Sequence, residues 1–190
     1  MPKIKAERQR DAIDRFAEEW KRERPGLDFT YLETIGRIMR LSAHLREEMD
    51  GWLADFGITW EMFDLLASLQ RSGSESGLRP TDLYEACMLS SGATTNRIDR
   101  AEKLNYAIRR QDAADGRSTR IALTGRGAAL AYRAMTRHAG CADAIARRLS
   151  QKERQQLARL LRKLLLSFEA ERVLPKNSKR TASSGVKGRT

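Results

Sequence analysis

Cysteine and histidine are scarce in this 190-residue chain: Cys87, Cys141, His44 and His138 are all it has. Their spacing matches no zinc-ligand pattern, so no metal or other cofactor is expected. A phosphate-cradling glycine loop and a nucleophile elbow are also missing. Ser184-Gly185-Val186-Lys187 fits Ser-x-x-Lys only formally, inside a tail rich in Lys, Ser, Gly and Thr. These absences argue against an enzyme. No run of eighteen apolar residues occurs, which excludes a membrane-spanning helix. The N-terminus is charged from Lys3 onward and lacks an apolar signal core, so a reducing cytoplasm is the expected compartment. Acid is missing from the last stretch altogether. From Arg172 onward there are six basic residues and no Asp or Glu, which leaves +5 of the formal net charge of +11 for the rest. Such a balance favours polyanionic partners. What is present, 41% hydrophobic residues, can supply a core.

Helical periodicity dominates both ends. Residues 7–24 carry a narrow apolar stripe, Ile13, Phe16, Ala17 and Trp20, closed by Pro25-Gly26. Residues 29–54 read as one long helix, with Leu32, Ile35, Ile38, Met39, Leu45, Met49 and Leu53 at three- and four-residue spacing and Gly57 as its stop. Residues 59–72 form a helix capped by Thr59, closed by Gly73 and apolar on more than one side, which makes it central. Asp64 is out of place there, among Trp60, Phe63, Leu65 and Ala67, and needs a partner unless it stays exposed. Thr124 caps a helix over about 125–147. Ser150-Gln151-Lys152-Glu153 is a capping box opening a last helix with Leu157, Leu160, Leu161, Leu164, Leu165 and Phe168. That face is too apolar for solvent and is expected to meet a second subunit. The expected organisation is 1–57, two N-terminal helices; 58–124, a central domain; 125–172, C-terminal dimerisation helices; and 173–190, a disordered basic tail.

The central domain carries the chemistry. Pro80 suits a first helical turn, Ser90 or Ser91 can cap the next helix, and two β-like runs, Tyr106–Arg110 and Thr119–Leu123, flank an Asp/Gly/Ala tip. Helix, tight turn, helix and hairpin make a winged helix-turn-helix, in a fold that is mainly α. At 100° per residue Thr94, Ile98, Ala101 and Leu104 share the inward arc of the second helix. Gly92, Thr95, Asn96, Asp99 and Lys103 lie opposite, with Arg100 beside them. A slim, donor-rich face of this kind can read a major groove. The hairpin adds Arg109, Arg110, Arg117 and Arg120 for phosphates or a minor groove. The candidate contacts to double-stranded operator DNA are therefore Ser91, Thr95, Asn96, Asp99, Arg100, Lys103, Arg110, Arg117 and Arg120. A solvated helix face beside a basic hairpin is the plainer alternative. Arg97 falls inside the inward arc and needs a carboxylate. An Asp64–Arg97 pair is equally a switch contact or a structural ion pair at this point.

The order of elements, the string Ser90-Ser91-Gly92-Ala93-Thr94-Thr95-Asn96-Arg97-Ile98-Asp99-Arg100, and the wing and exit Asp112…Asp115-Gly116-Arg117…Ile121-Ala122-Leu123-Thr124-Gly125-Arg126-Gly127 resemble the multiple-antibiotic-resistance regulator (MarR) family over about residues 12–170. The resemblance implies a homodimeric repressor on a pseudo-palindromic operator, released by a small aromatic anion. Within the family the chain is similar to the urate-responsive, PecS-like subset. That similarity implies a ligand site formed by Trp20, Asp64, Arg97 and Arg109. Two departures stand out: Asp115-Gly116-Arg117 replaces the usual Asp-x-Arg-Arg, and Ala101-Glu102-Lys103-Leu104-Asn105-Tyr106-Ala107 replaces Leu-Glu-x-x-Gly-Leu-Val. With those changes a hydroxybenzoate-type acid competes with urate as effector. Other branches of the family sense oxidants through thiols, which makes Cys87 and Cys141 the alternative trigger. A nonspecific DNA binder is the third reading.

Overall fold

In a computed structural model, residues 10–87, 94–112, 115–116 and 118–173 are described. Helix α1, Ala12–Glu23, starts where Asp11 accepts hydrogen bonds from the amides of Ile13 and Asp14 while Asp14 accepts from the Asp11 amide. This reciprocal cap satisfies donors that a helix start leaves orphaned. The stretch expected as one long helix is broken. A 3-10 turn, Thr30–Glu33, comes first, and α2 runs Ile35–Ala54. The cause is local: at the break the amide and the hydroxyl of Thr34 both donate to the Tyr31 carbonyl, at 3.1 and 3.2 Å, which closes a 3-10 turn in place of an α-helical one.

Helix α3, Trp60–Arg71, begins at Thr59, whose hydroxyl accepts from the Met62 amide at 3.4 Å. It buries Met62, Phe63, Leu65, Leu66 and Leu69 and packs against α2, so it sits at the centre of the core. Pro80 opens the short α4, Pro80–Ala86, and α5 runs Thr94–Lys103; α3 packs against both. The expected cap at Ser90 or Ser91 and the side chain of Thr94 lie outside the described residues. Strands β1, Ala107–Gln111, and β2, Thr119–Leu123, pair antiparallel with Arg109 opposite Ile121 and Arg110 opposite Arg120. Leu78 adds a bridge to the far side of β2, its amide donating to the Ile121 carbonyl at 2.9 Å and its carbonyl accepting at 2.7 Å.

Two glycines are required by close approach. Gly77 sits at φ +85°, and a Cβ there would lie 2.0 Å from the Ile121 carbonyl oxygen. A Cβ on Gly127 would lie 1.8 Å from the Tyr106 carbonyl oxygen. That contact explains the Leu-Thr-x-x-Gly exit. Thr124 donates to the Asn105 carbonyl and caps the Gly127 amide, and helix α6, Gly125–Ala146, leaves pressed against the turn after α5.

By compactness the chain divides inside α6, into Met1–Gly140 and Cys141–Thr190. The boundaries expected at 57/58 and 124/125 fall beside the turn after α2 and at the first residue of α6. In the second unit, α7, Gln151–Val173, opens on the Ser150/Glu153 capping box. Its leucines and Phe168 are exposed. The basic tail beyond Val173 lies outside the described residues. No described helix is long and apolar enough to cross a membrane.

Candidate nucleic-acid interface and cavity

Helix α5 has two unlike faces. Ile98 and Ala101 are buried, whereas Thr95, Asn96, Arg100 and Lys103 are exposed. Tyr84 of α4 meets the Thr95 hydroxyl at 3.1 Å. Leu104 departs from expectation: it is 37% exposed rather than packed inward. The helix ends at Lys103 and Asn105 adopts φ +56°, so the 100° step no longer applies at Leu104.

Two residues expected to face DNA are engaged inside the protein. Asp99 accepts from Arg109 Nη2 at 2.7 Å, and Glu102 accepts from both the Arg109 guanidinium and its amide. Arg109 therefore braces α5 to β1. Arg120 donates from Nε to Asp112 at 2.8 Å and from Nη1 to the Gly77 carbonyl at 3.0 Å. Arg110 remains exposed on β1. Ser91 and Arg117 lie outside the described residues.

Asp64 is 6% exposed and forms part of the wall of a cavity of about 310 Å³. Trp60, Phe63, Ala67, Ser68, Gln70, Arg71, Met135 and His138 complete it. His138 lies among aromatic rings, 5.1 Å from Phe63, 5.7 Å from Trp60 and 6.1 Å from Trp52 by centroid. Its Nδ1 is buried with no hydrogen-bond partner among the described residues, and burial holds its pKa below the usual histidine value. Arg71 donates to the Ala86 carbonyl at 2.7 Å, which ties the cavity rim to the end of α4.

Arg97 is part-buried with Nη1 fully enclosed and unpartnered among the described residues. Asp64 and Arg97 both act electrostatically on the Cys87 thiol, so these two sequence oddities share one neighbourhood. Burial, above all, pushes that thiol up; the Ser68 hydroxyl opposes it with a hydrogen bond. Since the thiolate is the reactive form, Cys87 is poorly suited to sensing an oxidant.

Within this chain the four residues named for a ligand do not line one cavity. Trp20 is 48% exposed and stacks on Phe29 at 5.6 Å, and Arg109 is on the wing brace. The aromatic wall beside Asp64 is Trp60. The signal was available: Trp60 and Asp64 are four apart on one helix and therefore neighbours on its surface. His138, some seventy residues away in sequence, had no such signal. A wider cleft of about 740 Å³ lies along α1 and the start of α2, lined by Arg10, Asp14, Glu18, Glu33 and Arg37. Its size is not matched by its chemistry, because Arg37 is already taken by Asp11 at 2.8 Å and Asp14 at 2.6 Å. Those bonds, with the helix-start amides, hold both carboxyls below their ordinary range.

Comparison with known proteins gives a consistent set. Residues 56–118 match the family model described as MarR family. The chain is 30% identical over 149 residues to the HTH-type transcriptional regulator PecS of Dickeya dadantii (strain 3937), covering 78% of this chain and 90% of that one. The S. aureus MepR–DNA complex superposes with TM-score 0.63 at 26% identity, covering 70% of this chain and 98% of MepR. A mutant MarR from E. coli complexed with operator DNA gives TM-score 0.62 at 22% identity, over 73% and 99% of the two chains, a likeness of fold.

Proposed function

Because the chain belongs to the MarR family of DNA-binding transcriptional regulators, we propose that it is a homodimeric repressor of a pseudo-palindromic operator, released by a small planar aromatic anion such as urate or a hydroxybenzoate. Two copies of α5 would enter successive major grooves, roughly 34 Å apart. Thr95, Asn96, Arg100 and Lys103 would read base edges and the adjoining backbone, while Arg110 would meet phosphate on the wing. The apolar face of α7 supplies the surface for a second subunit.

Asp64 carries the effector half of this reading. It is a buried carboxylate on the helix that supports α5, in a cavity walled by Trp60, Phe63 and His138. A planar anion would stack on the Trp60 and Phe63 rings and draw its counter-charge from Arg71 or Arg97. Recruiting Arg71 would cost its bond to the Ala86 carbonyl and loosen the end of α4; recruiting Arg97 would pull on α5 itself. Either displacement moves the reading face. A coupling of roughly 1–3 kcal/mol between the two sites gives about 5–150-fold release. Trp20 and Arg109 stand outside the effector site in this reading, as a stacking partner and a brace.

The test is a DNA-binding titration on the upstream intergenic fragment of the chain's own gene, repeated with urate and with a panel of hydroxybenzoates. Sequence-specific binding that falls in one of these compounds, and no longer falls in Asp64→Ala, is the expected result. Specific binding unaffected by every compound would remove the effector half. Binding with a full salt slope but no sequence preference would point to a nonspecific DNA protein instead.

A further inference from the structure

Among the described residues of the hairpin, Asp112 is the most enclosed charge. Its side chain is 4% exposed and sits where β1 ends. It accepts Arg120 Nε at 2.8 Å and Arg79 Nη2 at 3.3 Å. A carboxylate so far out of water is tolerated when guanidinium groups compensate it. These two cations come from different places. Arg120 is on β2, while Arg79 occupies the position just before α4. Arg120 also donates to the Gly77 carbonyl, and Leu78 is hydrogen-bonded both ways to Ile121. Gly77 lies flat against the Ile121 carbonyl with no room for a side chain. The segment 77–79 and strand β2 are thus stitched together at three successive residues, with Asp112 closing the last gap.

The register adds a second reason for this carboxylate. Arg110 stands directly opposite Arg120 across the two strands. Like charges in that position repel. Asp112 turns the Arg120 guanidinium toward the protein and leaves Arg110 the outward-facing cation of the pair.

We propose that Asp112 is the positioning residue of the wing: it fixes the angle of the hairpin against α4, and Arg120 acts through it rather than by touching DNA. This rests on reading the hairpin as the part that meets the DNA backbone.

Charge alone and the clamp predict opposite signs. Removing an acid beside DNA strengthens binding by electrostatics. The clamp predicts that Asp112→Asn weakens binding to a fragment the wild type recognises, by about tenfold, with a shallower salt slope as wing contacts are lost. Arg120→Gln is expected to cause the same loss, and the double variant no further loss, since both remove one clamp. Arg120→Lys separates the roles: a phosphate contact survives as a point charge, whereas a fork shared between Asp112 and the Gly77 carbonyl does not. The clamp expects it to behave like Arg120→Gln. Amide hydrogen exchange of free protein supplies a readout independent of DNA. In Arg120→Lys and Asp112→Asn the amides of 107–112 and 118–123 should exchange at least fivefold faster, with α3 unchanged. Tighter or equal DNA binding by Asp112→Asn, additive single effects, or unaltered hairpin exchange would each overturn the clamp. If wild-type protein shows no operator preference, the DNA reading of the hairpin fails, and the exchange experiment still decides whether the clamp exists.

Discussion

Helices α3 and α7 are about equally rich in leucine for their length and meet opposite fates. In α3, Leu65 and Leu66 are fully enclosed and Met62, Phe63 and Leu69 nearly so. In α7, Leu157, Leu160, Leu161, Leu164, Leu165 and Phe168 remain 37–59% exposed. The first helix is apolar around most of its circumference because neighbours of its own chain, α2, α4, α5 and β2, cover it. The second leaves its apolar side chains named above, and Leu166, exposed among the described residues. One helix completes its core within the chain; the other, on the proposed reading, would complete it against a second subunit. Each side chain fully buried contributes about 1.5–3 kcal/mol, so a covered stripe of this size is a strong drive to associate.

That contrast is best broken from the α7 side. Leu161→Glu with Leu165→Glu should turn a dimer into a folded monomer and reduce operator affinity at least a hundredfold, seen by light scattering and by DNA titration. Intact dimers would remove α7 from the interface. The complementary change in α3, Leu66→Ala, should cost about 2–5 kcal/mol of folding stability through cavity formation. Its midpoint in a denaturant titration should drop without a change in the stoichiometry of whatever remains folded. A smaller effect belongs to the brace on α5. Arg109→Met removes contacts to Asp99 and Glu102 that are part-exposed, and such pairs are worth about 0.2–1 kcal/mol each. DNA affinity should fall two- to fivefold while the response to effector persists; loss of the response would return Arg109 to the ligand site.

A pH prediction follows from His138. Its pKa is lowered by burial, so the unfolded chain binds more protons than the folded one below about pH 6.5. Stability is therefore complete above that value and declines as pH falls through it. His138→Phe should flatten this slope between pH 7 and 5, read by thermal melts. Smallest of all is the effect of thiol chemistry. Iodoacetamide should label half-exposed Cys141 well before buried Cys87, and labelling Cys141 alone should leave DNA binding intact.

What was legible in the sequence was what neighbouring residues decide. Thr59, Pro80, Thr124 and Ser150 start their helices as read, because a cap is settled within three or four residues. The hairpin strands were found within a residue of their ends. The break at Thr34 was missed because an apolar stripe continues through it, while the Thr34 bonds to the Tyr31 carbonyl that close the 3-10 turn are polar. Leu104 was misplaced because a helical wheel does not know where its helix stops. The bonds of Arg120 to Asp112 and to the Gly77 carbonyl were not legible, because these residues converge only in three dimensions. Trp60 and His138 line the cavity beside Asp64, whereas Trp20, which the resemblance names, stacks on Phe29.

The Gly127 contact has one more consequence. Machines that turn need clearance at the pivot, and here there is none: the backbone of α6 rests on the Tyr106 carbonyl at a distance no side chain could share. The turn that ends α5 and the first turn of α6 therefore mesh like gear teeth without backlash. At that contact there is no slack in which a displacement of the turn after α5 could be taken up before it meets α6. A single methyl group, Gly127→Ala, would jam that gear.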